Sequence, residues 1–144
     1  MLSSKSATSI AHAFAEAINS HSIEDLAELM TEDHAFVDAL GSRTEGKQNM
    51  LKAWEGYFRM VPDYSITIDE SFADGSSVVM VGKAQGTHAP DGKPLPENEW
   101  STPAAWRAEV KGALVTEWRV FADNEPIRQI MAKKNSQPPA PRRA

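Results

Sequence analysis

Apolar residues near the start of the chain recur at the spacing of an amphipathic helix. Ile10, Phe14 and Ile18 lie four residues apart, so one helix brings all three onto a single stripe. Ser22, with Asp25 three residues later, resembles a capping box and predicts that a second helix begins there. The buried face of this second helix is predicted to comprise Ile23, Leu26, Leu29 and Met30.

A short strand and a third helix are predicted next. Residues Ala35–Ala39, which include Asp38, are expected to form the strand, and Gly41 predicts a turn after it. Apolar side chains then recur at helical spacing from Lys47 to Met60. Pro62 is expected to end that helix, because proline cannot continue the hydrogen-bond ladder.

The second half of the chain shows the alternation that is typical of strands. Tyr64, Ile66 and Ile68 alternate with polar residues, and Asp74–Gly75 is a strong signal for a hairpin. Pro103 lies inside a long predicted strand, where a proline implies an edge position or a bulge. The remaining predicted strands are Val78–His88, Trp100–Val110, Ala113–Phe121 and Ile127–Ala132.

Helices followed by a meander of strands indicate an α+β fold, with the helices packed on one face of a curved antiparallel sheet. A single domain is predicted over residues 8–133, between a flexible N-terminal segment, residues 1–7, and a disordered tail, residues 134–144. The tail prediction rests on the proline- and arginine-rich sequence of Ser136–Ala144, because such a composition does not support regular pairing or burial.

Composition and charge exclude several classes of protein. The 144 residues fit one domain, and the absence of cysteine excludes disulfides, a thiol nucleophile and iron–sulfur ligation. The net charge of −5, without a basic run in the folded part, argues against a nucleic-acid surface. No apolar stretch is long enough to cross a bilayer, so no membrane association is expected. The first residues lack the apolar segment of a secretory signal, and a cytoplasmic location is therefore expected.

Two segments carry a resemblance to a known family. Ile23–Gly41 combines a helix, an acidic break and a strand that ends near Asp38, and Glu117–Met131 is similar to a last hairpin. Together with the order of the elements, they make the chain resemble the nuclear transport factor 2 (NTF2)-like superfamily, in its SnoaL-like and ketosteroid-isomerase-like branch. The resemblance implies a cone, in which three N-terminal helices pack in a strongly curved antiparallel sheet around a deep apolar cavity. It also implies a homodimer through the outer sheet face and chemistry that needs no cofactor.

Asp38 occupies the position where the isomerase-like members of this family carry their catalytic base. A carboxylate at the bottom of an apolar cavity loses solvation of its charged form, which makes it a better base near neutral pH. Such a base can remove a proton from the carbon next to a carbonyl group. The alternative is a structural role, because aspartate often caps the turn that follows it.

An enolate oxygen that develops during such a reaction needs hydrogen-bond donors. The resemblance implies a tyrosine on the first helix, but this chain has Phe14 there, which argues against authentic steroid isomerisation. It also implies a protonated carboxyl group on a late strand, and that position falls near Glu117, which would stay protonated if buried. The alternative puts Glu117 on the surface near Arg119, and the sequence leaves open which face of Ala113–Phe121 points inward.

His88 is the third catalytic candidate, as an acid–base group at the mouth of the cavity; its alternative is a solvated residue at a strand end. No HExxH or similar spacing supports a metal site. Apolar side chains are predicted to form a wall for a flat ligand, although core packing explains much of the same inventory. The predicted wall residues are Phe14, Ile18, Phe36, Trp54, Phe58, Met60, Met80, Trp106 and Met131.

Two functions therefore remain open. The first is a cofactor-independent enzyme of the isomerase, cyclase, dehydratase or hydrolase kind, with Asp38 as general base and a small apolar molecule as substrate. The second is a non-catalytic small-molecule-binding or dimeric interaction module of the same fold. Phe14 favours the second function, whereas a buried Glu117 that faces Asp38 would favour the first.

Overall fold

The structure, a computed structural model, describes residues 6–135, with side chains through Ala132. The predictions for residues 1–5 and for Ser136–Ala144 lie outside the described residues. Among the described residues no helix is long and apolar enough to cross a membrane. The helices are α1 (Ala7–Asn19), α2 (Ile23–Glu28), α3 (Lys47–Met60) and α4 (Glu125–Asn135). The strands are β1 (Met30–Val37), β2 (Arg43–Glu45), β3 (Ser65–Asp74), β4 (Ser77–Thr87), β5 (Glu99–Lys111) and β6 (Leu114–Ala122).

The six strands form one curved sheet in the order β2-β1-β6-β5-β4-β3. The expectation of an antiparallel sheet is wrong at one ladder, because β1 pairs with β6 in parallel while the other neighbours are antiparallel. A parallel pair needs a long crossover between its strands, and here everything from β2 to β5 supplies that crossover. The fold class is nevertheless the predicted one, an α+β arrangement of NTF2-like type.

Curvature comes from irregularities in the ladders. Register shifts interrupt the pairing of β1 with β6, of β3 with β4 and of β5 with β6, and such bulges bend a sheet. Opposite the shift in β3, Gly82 approaches the Thr67 backbone so closely that a Cβ on Gly82 would overlap the Thr67 carbonyl. Only glycine permits this approach, so the sequence at Gly82 contributes directly to the bend of the sheet.

The core lies between the concave face of the sheet and helices α1 to α3. Helix α1 packs across β3 to β6, α3 packs on β1 and β2, and α2 contacts both helices. The largest fully buried side chains come from the helices and the sheet together, including Trp106, Trp118 and Phe14. Along β5 buried and exposed residues alternate strictly through most of the strand, as the sequence predicts for Trp100, Ala104, Trp106 and Ala108.

Two predicted elements differ from the structure. Strand β1 begins at Met30, five residues before the predicted Ala35, and Met30 therefore belongs to the sheet rather than to α2. The segment Ile127–Ala132 is helical and lies within α4, so the last hairpin implied by the resemblance is wrong. The Asp123 side chain accepts a hydrogen bond from the Glu125 N–H at the start of α4. Short apolar runs fit either a strand or a helix by periodicity alone, which explains the error.

Pro103 illustrates how a proline is tolerated inside a central strand. Strand β5 lies between β4 and β6, so it is not an edge strand. The ladder between β5 and β6 begins only at Ala104, which pairs with Ala122, while Pro103 still faces Lys83 on the other side. The missing N–H of Pro103 therefore costs no bond to β6. At Pro103 itself, β5 has a neighbour on one side only, so the residue has the surroundings of an edge although the strand is central.

Candidate functional site

A cavity of about 330 Å³ opens between the end of β1, helix α3 and the concave face of β5 and β6. Its lining is mostly aromatic and aliphatic, and all four tryptophans of the chain contribute to it. The lining includes Phe36, Asp38, Trp54, Tyr57, Tyr64, Trp100, Trp106, Trp118, Val120 and Ile127. A pocket of this size and composition suits a small, largely apolar molecule.

Asp38 lies on this lining directly after β1, and it also holds the turn that follows. Its Oδ1 accepts hydrogen bonds from the N–H groups of Leu40 and Ser42, each at 2.9 Å. Gly41 closes the turn with a φ of 89°, a left-handed conformation that favours glycine. The other carboxylate oxygen, Oδ2, accepts no hydrogen bond from residues 6–132, whose side chains the structure describes. The carboxylate is thus held in one orientation through one oxygen while the second oxygen stays free.

A continuous row of aromatic rings forms one wall of the cavity. Trp54 contacts Tyr57 with ring centroids 6.3 Å apart, Tyr57 contacts Tyr64 at 4.9 Å, and Tyr64 contacts Trp100 at 6.1 Å. Burial raises the pKa of both tyrosines well above the ordinary value, and Tyr57 raises that of Tyr64 further. Both phenols therefore stay neutral at physiological pH and remain hydrogen-bond donors.

Glu117 lies on the opposite, convex face of the sheet. Its two oxygens contact Arg43 Nη1 and Arg107 Nη2, both at 3.0 Å. Partial burial raises the pKa of Glu117, but hydrogen bonds and charges from Arg43 and Arg107 outweigh it, so the pKa is lowered overall. The prediction that Glu117 is a protonated donor facing Asp38 is therefore wrong. Glu117 instead lies on the outer surface of the sheet, where its partners are Arg43 and Arg107.

The chain is similar to known proteins in both sequence and fold. Residues 11–118 match the model of the SnoaL-like domain. The chain belongs to the SnoaL-like family. No curated protein matches it. Three solved structures that resemble this SnoaL-like protein are each less than 25% identical to it and therefore establish only the shared fold.

A candidate SnoaL-like polyketide cyclase from Shewanella putrefaciens is 21% identical, with a TM-score of 0.75 over 88% of this chain and 85% of that chain. IdmH from Streptomyces antibioticus, described as a candidate polyketide cyclase, is 19% identical, with a TM-score of 0.73 over 89% and 99% of the two chains. A protein of ketosteroid isomerase-like fold from Catenulispora acidiphila, in complex with trimethylamine, is 21% identical, with a TM-score of 0.67 over 78% and 83%.

Only some of the residues predicted to form the ligand wall of this SnoaL-like protein line the observed cavity. Phe36, Trp54 and Trp106 line the cavity. The other predicted wall residues lie in two other places. Phe14, Ile18 and Met80 are fully buried in the core, behind the lining. Phe58, Met60 and Met131 are half-buried on helices α3 and α4 but lie outside the lining.

The position of Phe14 explains why it cannot act on a ligand. Its ring lies 4.6 Å from the Trp118 ring and 5.6 Å from the His34 ring, and its side chain is fully buried. Trp118 lines the cavity, so it occupies the place on the wall that was predicted for Phe14.

His88 also lies outside the cavity lining. It is buried at 6% exposure, which contradicts both the catalytic position at the mouth and the solvated alternative. Its backbone N–H donates to Asn98 and its carbonyl accepts from the Asn98 side chain, so the segment after β4 is tied to the turn before β5. These contacts indicate a structural role.

Sequence reasoning left several lining residues out of the predicted site. Tyr64, Trp100 and Trp118 belong to it, together with Val120 and Ile127. A signal existed for Trp100, since it lies on the same strand face as Trp106. No comparable signal existed for Ile127, because it reaches the cavity only through α4, which was predicted as a strand.

His34 is buried beside the core rather than in the cavity. Its Nδ1 lies 2.7 Å from the Val115 carbonyl oxygen, and since a carbonyl only accepts, Nδ1 carries the hydrogen. Burial lowers the pKa of His34, which keeps the ring neutral. Within the described part of the chain, no group of three or more His, Asp or Glu side chains is arranged to hold a metal ion.

Proposed function

We propose that this protein binds a small, largely apolar carbonyl compound in the cavity and removes a proton from the carbon next to the carbonyl group. Asp38 is the general base, and no cofactor takes part in this step. The single observation that carries the proposal is the Asp38 carboxylate, with Oδ1 anchored by two backbone N–H groups and Oδ2 free on an apolar cavity wall.

The proton moves from the substrate carbon to Asp38 Oδ2. The electron pair of the broken C–H bond forms a C=C bond, and the carbonyl π electrons move onto oxygen to give an enolate. In an isomerase, Asp38 then returns the proton to another carbon of the same molecule. In a cyclase, the enolate carbon instead forms a bond to a second carbonyl carbon, the π electrons of that carbonyl move onto its oxygen, and this alkoxide takes the proton from Asp38. A base with one locked oxygen is already oriented for this transfer, and such positioning is a large part of catalysis.

The relatives favour the cyclase form of this reaction. Two of the similar structures are described as candidate polyketide cyclases, and polyketides are chains with several carbonyl groups. At identities near 20% these descriptions support a substrate class to test first, and nothing narrower.

Hydrogen exchange tests the proposal without knowledge of the natural substrate. The protein is incubated with 2-tetralone, a bicyclic aryl ketone, in D2O, and NMR follows replacement of the hydrogens next to the carbonyl. We expect the protein to accelerate exchange, and Asp38→Asn to reduce the acceleration by roughly 10²–10⁴-fold. Asparagine keeps an oxygen for the Leu40 and Ser42 N–H groups, so folding should be preserved.

Glu117→Gln is the matched control. Because Glu117 lies on the other face of the sheet, this substitution should leave the exchange rate unchanged. Equal exchange rates for the parent protein and Asp38→Asn, with both folded by circular dichroism, would overturn the general-base role. Unfolding of Asp38→Asn would indicate that the carboxylate is needed for the turn.

A binding module without catalysis is the second candidate, and one observation favours it. The turn after β1 accounts for Asp38 on structural grounds alone, because an aspartate that accepts two backbone hydrogen bonds is a common turn device. This function predicts that 2-tetralone perturbs the fluorescence of the cavity tryptophans in the parent protein and in Asp38→Asn alike, with no exchange in either.

We also propose a homodimer through the convex face of the sheet. Phe72, Val81 and Phe121 are exposed there at 59%, 39% and 45%. Val81, Ala105 and Phe121 form an apolar row across β4, β5 and β6. Next to it lie a basic row, Arg107 with Arg119, and an acidic row, Glu109 with Glu117. In a second copy related by a two-fold axis, each basic row can face an acidic row, so the surface is complementary to itself.

A further inference from the structure

We infer that the hydroxyl groups of Tyr57 and Tyr64 form a donor pair in the cavity, which binds one oxygen atom of the ligand and stabilises negative charge on it. The inference rests on the proposed function, since this charge arises when Asp38 removes a proton. It assigns the electrophilic half of the site to two residues that the sequence pattern does not single out for that role.

The end of α3 and the turn after it bring the two tyrosines together. The Val61 N–H donates to the Tyr57 carbonyl at 2.8 Å, and the Tyr64 N–H donates to the Val61 carbonyl at 3.0 Å. This folds the chain back so that the two rings meet edge to face, with centroids 4.9 Å apart and an interplanar angle of 85°. Both side chains line the cavity that Asp38 also lines.

Neither hydroxyl has a hydrogen-bond partner among residues 6–132, and neither is enclosed by protein, so both are open to the cavity although their rings pack against other aromatic rings. A hydroxyl that faces a mostly apolar cavity is free to donate to a ligand oxygen, and a hydrogen bond to a charged oxygen is worth more than one to a neutral oxygen. The raised pKa values mean that both groups arrive with their protons, as donors to an anion must.

Neighbouring residues fix the position of Tyr64. His21 Nε2 donates to the Tyr64 carbonyl at 2.8 Å, while the His21 ring stacks on Phe58 at 4.1 Å. On the other side, Asp63 accepts from both the N–H and the hydroxyl of Thr87, each at 2.7 Å. The backbone at Tyr64 is thus tied to the turn after α1 and, through Asp63, to β4, and a donor that is held in place loses little entropy when a ligand binds.

The arrangement also resolves the absence of a donor at Phe14. That ring is enclosed by Trp118 and His34, so the first helix offers nothing polar to a ligand. Tyr57 and Tyr64 approach the cavity from α3 and from the start of β3 instead. The electron balance is unchanged: in the enolate the carbonyl oxygen has gained the π electrons, the two hydroxyls keep their protons, and Asp38 holds the substrate proton until it returns it.

Ionisation of bound 4-nitrophenol tests the donor pair independently of turnover. Its phenolate mimics the charge and the oxygen of an enolate, and its absorbance distinguishes the bound phenolate from the bound phenol. Asp38→Asn serves as the parent, so that no carboxylate opposes the bound anion. We expect the bound phenol to ionise at lower pH than the free phenol in this parent.

Tyr57→Phe and Tyr64→Phe, each added to that parent, should reduce the bound ratio of phenolate to phenol by about tenfold, because a hydrogen bond to a charged group is lost. Thr67→Val is the matched control, since it removes a hydroxyl from β3 outside the cavity lining and should leave the ratio unchanged. In protein that retains Asp38, the same tyrosine variants should slow 2-tetralone exchange by roughly 10²–10³-fold.

The inference is overturned if both phenylalanine variants keep the ratio of the parent, or if millimolar 4-nitrophenol gives no bound spectrum. A tyrosine effect on the ratio, with no 2-tetralone exchange in the protein that retains Asp38, would leave the donor pair standing and reject the proposed reaction. If 2-tetralone exchange depends on Asp38 but the tyrosine variants change neither the ratio nor the exchange rate, the proposed reaction stands and the donor pair is rejected.

Discussion

The two faces of the sheet hold their carboxylates in different ways. On the concave side Asp38 lies beside a cavity of tryptophan and tyrosine rings, and backbone N–H groups alone hold one of its oxygens. On the convex side Glu117 lies between two guanidinium groups, and both of its oxygens are paired. The residue types are chemically alike, but only Asp38 retains an oxygen that is free to accept a proton.

This contrast shows that pairing, rather than residue type, decides what a carboxylate can do. Arg43 and Arg107 favour the charged form of Glu117 and leave it no free oxygen. Neither arginine lines the cavity, and the side-chain donors on its lining are neutral hydroxyl, amide and indole groups. The sheet therefore separates an interior in which Asp38 is the one charged lining residue among residues 6–132 from an exterior on which acidic and basic side chains pair.

The largest effect that tests this contrast is on stability. Met80 and Lys83 lie on opposite faces of β4, Met80 fully buried and Lys83 exposed. We expect Met80→Ala to lower the free energy of unfolding by about 2–5 kcal/mol, because it opens a cavity in the core. Lys83→Ala should change it by no more than about 0.5 kcal/mol. Urea unfolding of both variants measures the difference.

Met80→Ala also tests whether Met80 belongs to the core alone or also to the ligand site. Since Met80 lies behind the cavity lining, the folded variant should bind 2-tetralone with the affinity of the parent, as measured by tryptophan fluorescence. A large loss of affinity without a loss of stability would return Met80 to the ligand site.

A smaller effect concerns the ion pairs on the convex face. Glu117→Gln should lower the free energy of unfolding by about 1 kcal/mol at pH 7, since a network of partly exposed pairs is lost. The pKa of Glu117 is lower in the folded than in the unfolded protein, so its contribution is present above the ordinary value of 4.5. The contribution disappears as the pH falls through the folded pKa.

Urea unfolding of the parent and Glu117→Gln at several pH values measures this dependence. The difference between them should be constant near neutral pH and shrink below about pH 4.5. A difference that grows on acidification would contradict the ion-pair account of Glu117.

The smallest expected effect on the single chain is at the convex apolar row. Phe121→Ser removes an exposed ring and should change the stability of the monomer little, apart from the contact of Arg119 over that ring at 4.8 Å. It should nevertheless weaken the proposed homodimer. Light scattering at micromolar concentration should give the mass of two chains for the parent and a lower mass for Phe121→Ser. A single-chain mass for the parent contradicts the dimer.

Local sequence patterns predicted much of the fold, and the resemblance pointed to one residue of the cavity lining. The α3 boundaries Lys47–Met60 and the hairpin at Asp74–Gly75 follow from periodicity and turn chemistry, and both agree with the structure. Asp38 was predicted from the resemblance to the isomerase-like members of the family, and the structure puts it on the cavity lining, at the turn that Gly41 closes. The order of elements also predicted the α+β, NTF2-like class.

Contacts between distant segments decided the rest. A register shift between Glu109 and Val110 puts Val115 in the core, although Val115 lies two residues from the outward-facing Glu117, and strand alternation alone cannot reveal such a shift. The parallel pairing of β1 with β6 joins segments about eighty residues apart, as the Phe36 and Trp118 pair shows. Ile127 reaches the cavity only because α4 packs beside β5. The sequence by itself thus determined the local elements and the anchored carboxylate, whose partners are near neighbours along the chain. Only the tertiary structure decided which side chains share the cavity with it, because that depends on strand order, register and curvature.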